Sequence, residues 1–75
     1  MDSQIIEQMI LDGLPGAKVT VKGEDGVHFE AEVVSTAFEG KSTLQRHRMV
    51  YATLGSKMGH EIHALALQTR APGET

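Results

Sequence analysis

The sequence predicts a mixed α/β (α+β) fold with its elements in the order α-β-β-α-β. Three observations carry this reading. Ile5, Ile6, Met9 and Ile10 recur at helical spacing near the N-terminus. Between Lys18 and Val34, apolar and polar residues alternate on either side of the loop Glu24-Asp25-Gly26. From Ser42 a second helical stripe runs forward into the apolar stretch Ile62 to Thr69. The 75 residues suit a single domain, 1–75, with residues 70–75 as a loose tail.

The first helix can be capped by Ser3 and ended by Gly13 and Pro15. In "KVTVKGEDGVHFEAEVV", Val19 and Val21 share one face, as do Phe29, Ala31 and Val33. Opposing Val21 to Phe29 and Val19 to Ala31 leaves Glu24-Asp25-Gly26 as a three-residue loop, with Gly26 in the left-handed position. This register pairs His28 with Lys22 near the loop. The second helix carries Leu44, His47, Val50, Tyr51, Leu54 and Met58 on one stripe, and Gly55 and Gly59 make its end irregular. The last strand, Ile62 to Thr69, reads as buried and apolar on both faces.

The connection from the second strand through a helix to the third is long enough for a parallel crossover. The two strands then begin at the same end of the sheet, with His28 opening one and His63 the other. Neighbouring strands lie about 4.8 Å apart, so the two imidazoles can come near one another. Strand parity leaves open whether they point to the same face.

Composition narrows the function. A chain this short buries only about 60% of its unfolded surface. It has no cysteine, so any metal must be held by His, carboxylate or backbone oxygen, or shared with a partner. The formal net charge of −3 argues against a protein that works mainly by covering phosphates. The acidic N-terminus does not resemble a signal peptide, and no stretch approaches the roughly 20 apolar residues of a membrane span. A cytoplasmic protein without membrane contact is expected.

"FEGKSTLQRHRMV" contains Gly40-Lys41-Ser42, but a phosphate loop needs a glycine five residues before Gly40, where Ser35 stands. Gly40 instead suits a turn, and Ser42 with Gln45 suits a capping box. Arg46 and Arg48 flank a half-buried His47 and read as a solvated face. With Lys41 they are the candidates for phosphate contact. "HEIH", His60 to His63, lacks the H-E-x-x-H spacing of a self-contained zinc site. His28 and His63 together make at most a half-site that needs further ligands from elsewhere. No spacing suggests a catalytic triad, and a non-enzyme is expected.

The stretches "HFEAEVVS", "FEGK", "RHR" with Val50, "IHA" and "APGE" together resemble the BolA family over nearly the whole chain. The resemblance implies a class II KH-like fold with helices on one face of a three-stranded mixed sheet. It also implies pairing with a monothiol glutaredoxin and a shared [2Fe–2S] cluster, for iron–sulfur assembly, transfer or iron regulation. The family's cluster-ligating histidine falls on His63. Its second ligand comes from the loop between the first two strands, where His28 is the nearest histidine. The cluster would be shared with the glutaredoxin and its glutathione, none being bound by the chain alone, which is expected as a monomer or weak homodimer. The alternative that the resemblance implies is a DNA-binding transcriptional or stress regulator. It would act through the helix after Gly40, with Lys41, Arg46 and Arg48 on the duplex. Many members end in a basic, Trp-containing segment that does not follow Pro72-Gly73-Glu74 here.

Overall fold

The computed structural model describes residues 1–23 and 25–74. The order is α1 (Ser3–Gly13), β1 (Lys18–Lys22), β2 (His28–Val34), α2 (Thr43–Leu54) and β3 (Ala64–Arg70). Single 3-10 turns lie at Thr36–Phe38 and Gly55–Lys57. The three strands form one sheet in the order β1-β2-β3, with β1 antiparallel and β3 parallel to β2. The predicted α-β-β-α-β order and mixed sheet therefore hold.

α1 starts one residue earlier than the Ser3 cap implied. Asp2 is extended, and its carboxylate accepts the Gln4 N–H at 2.9 Å. A carboxylate there both satisfies a free donor and meets the positive end of the helix dipole. The apolar stripe is narrower than the spacing suggested. Ile6 and Ile10 are fully buried, whereas Ile5 is half exposed. Gly13 does more than end the helix. A Cβ there would lie 2.5 Å from Thr53 Cγ2, so the glycine lets α1 approach α2.

The hairpin has the predicted faces but another register. Val19 lies opposite Val33 and Val21 opposite Ala31, two residues from the expected alignment. A slip of two leaves every side chain on its face, which is why alternation alone could not detect it. The deciding contacts lie in the loop. The Phe29 ring lies so close against Gly23 that a Cβ there would meet Phe29 Cδ1 at 2.2 Å. Asp25 closes the turn by accepting the N–H groups of Val27 and His28. The connection thus runs from Gly23 to Val27, and Lys22 pairs with Glu30 rather than His28. Gly26 takes the left-handed conformation, φ 78°, as expected.

The inner face of the sheet presents Val21, Phe29, Ala31, Val33 and Leu65 to Ile6, Ile10, Val50 and Leu54 of the helices. Phe38 and Ile62 complete the core, both fully buried. Burying a side chain of this size contributes about 1.5–3 kcal/mol. The outer face is open, which corrects the reading of β3 as buried on both sides. Ala64, Ala66 and Gln68 face out and are exposed. β3 also starts later than predicted. Ile62 belongs to an isolated bridge with Met58, and His63 precedes the strand. On the edge of the sheet, Glu7 Oε1 accepts the Val21 N–H at 2.9 Å.

α2 begins as predicted. Ser42 Oγ accepts from the Gln45 N–H, and the Gln45 side chain accepts from the Ser42 N–H, which completes the capping box. Leu44 does not join the buried stripe and is 59% exposed. Arg46 is not a solvated residue. Its side chain is only 12% exposed and makes a two-pronged ion pair with Glu74, at 2.6 and 2.9 Å. Its Nε donates to the Phe38 carbonyl at 3.1 Å, with the guanidinium 5.9 Å from the Phe38 ring centre. The tail up to Glu74 is thereby fastened rather than loose, with Ala71 buried. Thr75 lies outside the described residues.

Two expectations follow. Gly23→Ala must displace the Phe29 ring from its site and should cost about 1–3 kcal/mol. The check is a lower urea midpoint with an unchanged denaturant slope. Glu74 is held down to about 2, chiefly by its hydrogen bonds from Arg46 and then by the Ala71 N–H. A depressed carboxyl stabilises the fold above its unfolded value of 4.5 and loses that contribution as pH falls towards 2. Glu74→Gln should therefore lose less stability than the wild type across that window, read by urea unfolding at stepped pH. Equal losses would show that the pair contributes nothing.

Candidate functional site

The parallel pairing of β2 with β3 sets His28 opposite Ala64, one residue beyond His63. His28 belongs to the outer face of β2, in step with Glu30 and Glu32. His63 lies outside the strand, so its direction is not governed by strand alternation. Ile62 is buried beneath it, and His63 itself is exposed. The His63 N–H donates to the Val27 carbonyl at 3.0 Å, and the Ala64 N–H reaches the same oxygen at 3.4 Å. The loop that leads into β2 therefore also fixes the entry to β3.

These constraints bring the two imidazoles together. Their ring centres are 6.3 Å apart and the planes meet at 68°, edge to face. The topology sets both residues at one end of the sheet, and the edge-to-face contact answers what strand parity left open: the rings turn towards each other. An open depression bordered by Gly23, Asp25, His28 and Ala64 lies alongside.

Asp25 is the residue that sequence reasoning missed. Its Oδ1 accepts from the Val27 and His28 N–H groups at 3.0 and 2.8 Å, and its Oδ2 lies 2.6 Å from His28 Nδ1. These bonds, the His28 side chain's first, hold its carboxyl well below the usual carboxylate range. The available signal was an Asp preceding two free backbone donors in a loop, the pattern of an Asx turn.

Two imidazole nitrogens suit a borderline metal such as zinc or iron, each at about 2 Å from it. For one tetrahedral ion between them, the ring centres would have to close from 6.3 Å to about 5 Å. Among the described residues, no group of three or more His, Cys, Asp or Glu side chains is placed to hold a metal.

The basic candidates separate. Arg46 is spent on Glu74 and Phe38. Lys41 and Arg48 are exposed, and neither has an ion-pair partner among the described residues. Lys41 follows Gly40, whose φ of 75° makes the turn before the capped helix. The Gly-Lys-Ser run is therefore a turn and a cap. No described helix is long and apolar enough to cross a membrane.

A family model for BolA-like proteins matches residues 13–74. Human BolA-like protein 1 is 53% identical over 47 residues, covering 63% of this chain and 34% of that protein. The Escherichia coli protein described as DNA-binding transcriptional regulator BolA is 48% identical over 42 residues, covering 56% of this chain and 40% of its own. The matched region thus spans well under half the length of either relative. Among solved structures, a BolA protein homologue from Coxiella burnetii superposes with a TM-score of 0.85 at 46% identity, over 96% of this chain and 92% of its own. With a family model spanning both helical and strand regions, and a solved fold aligned almost end to end, the chain belongs to the BolA family.

Proposed function

We propose that this chain is a partner protein that completes the ligand set of a [2Fe–2S] cluster held jointly with a monothiol glutaredoxin, with His63 and His28 as its nitrogen ligands. The observation that supports this most is the exposed imidazole pair, 6.3 Å apart at an open end of the sheet. A pair with no third donor among the described residues suits a site finished by another protein. The glutaredoxin cysteine and the thiol of its glutathione would supply the sulfur ligands. Two neutral nitrogens on one iron resemble a Rieske arrangement and raise the potential relative to an all-thiolate cluster. This chain's own part is to present two imidazoles at one end of the sheet, and it performs no catalysis itself. Only the neutral form of an imidazole can bind, so uptake should weaken as pH falls.

The test is titration of the protein into a cluster-loaded monothiol glutaredoxin, followed by visible absorption and circular dichroism. The wild type should change both spectra. His63→Ala should abolish the change, and His28→Ala should alter its shape or weaken it. His63 is exposed, so His63→Ala should stay within about 0.5 kcal/mol of wild-type stability. His28→Ala also loses an exposed pair with Asp25 and should cost no more than about 1 kcal/mol. A wild type that leaves the spectra unchanged, or a change indifferent to His63, would sink this reading.

A second reading, DNA binding, is favoured by the name of the E. coli relative and by two exposed cations near the start of α2, Lys41 and Arg48, that have no ion-pair partner among the described residues. Arg46, engaged with Glu74, takes no part in it. If Lys41 and Arg48 touch phosphates, Lys41→Glu with Arg48→Glu should lower affinity and reduce the salt slope by about 1 for each contact. An unchanged slope for duplex binding would exclude the contact.

A further inference from the structure

We infer that Asp25 is a positioning residue that makes His28 an Nε2 ligand before any partner arrives. This rests on the cluster-sharing reading above and adds the atom through which His28 binds and the residue that selects it. Asp25 uses its two oxygens for different tasks. Oδ1 holds the loop through the N–H groups of Val27 and His28. Oδ2 faces His28 Nδ1 at 2.6 Å. An ionised carboxylate has no proton to give, so Nδ1 carries the hydrogen and donates it. A neutral imidazole bears one ring proton, so its lone pair is then on Nε2, the outer nitrogen of a side chain 63% exposed. Metal-binding histidines are commonly oriented by a carboxylate in this way, which fixes the tautomer and raises ligand basicity.

His63 is held differently. It is fastened by its backbone N–H to Val27, and among the described residues no carboxylate is bonded to its ring. One loop therefore fixes one imidazole through its ring and the other through its main chain. The two ligands are chemically unequal, with His28 set in orientation and proton position and His63 set only in placement.

The decisive variant is Asp25→Asn. Its amide oxygen can keep both loop bonds, while its NH2 would face Nδ1 and donate to it. The ring proton must then move to Nε2, which removes the lone pair that would bind. The measurement is long-range proton–nitrogen correlation NMR on the 15N-labelled chain alone, at a pH where the imidazoles are neutral. The wild type should show His28 protonated at Nδ1, and Asp25→Asn should show it at Nε2. In the titration with cluster-loaded monothiol glutaredoxin, Asp25→Asn should bind roughly 10- to 100-fold more weakly than the wild type. A wild-type His28 protonated at Nε2 or evenly mixed, or a tautomer unchanged in Asp25→Asn, overturns the inference. Should the variant fail to fold, the wild-type tautomer alone decides. If the tautomers behave as expected while the wild type leaves the glutaredoxin spectra unchanged, the cluster reading fails and the control of His28 by Asp25 stands.

Discussion

The parallel pairing of β2 with β3 is the constraint on which the rest of the molecule depends. It aligns the starts of two strands that are far apart in sequence, and so places His28 and His63 at one end of the sheet. The pairing is held in register by the core. A shift of β3 by one residue would turn Leu65 and Leu67 outward and bring Ala64 and Ala66 in. The cost would be the burial of the leucines, at about 1.5–3 kcal/mol for a fully buried side chain. The imidazole pair thus takes its placement from hydrophobic packing that it does not touch.

At the entry to β3, an exposed residue and a buried one stand side by side. His63 is exposed, but its neighbour Ile62 is fully buried and anchors it. Beyond the other end of β3, the Ser35 N–H donates to the Arg70 carbonyl, and Glu74 closes on Arg46 over Phe38. Both ends of β3 are thus fastened, the histidine end by main-chain bonds to the Val27 carbonyl and the opposite end by charge and main-chain hydrogen bonds.

The sequence showed what is local. The period-two faces of the hairpin, the order of elements and the Ser42–Gln45 capping box each arise from residues within a few positions of one another. It could not show the hairpin register, because sliding by two preserves every face and the deciding contacts are Phe29 against Gly23 and Asp25 in the turn. Nor could it show that β3 has an open outer face, because Ala64 and Ala66 are small enough for either environment. Arg46 looked solvated because its partner lies 28 residues away. The topology brought His28 and His63 to one end of the sheet. Their approach to 6.3 Å needed the Val27 carbonyl and the Asp25 carboxylate, which only the folded loop reveals.

The fit of Phe29 against Gly23 also couples two positions sterically. One ring fills the space that a methyl group at the other would need. A lineage that gains a side chain at position 23 must shrink or redirect the one at position 29, and neither change is tolerable first without a loss in packing. Both residues border the loop that carries Asp25 and precedes His28. A change at this pair would therefore be felt in the loop that sets the His28 ring against Asp25.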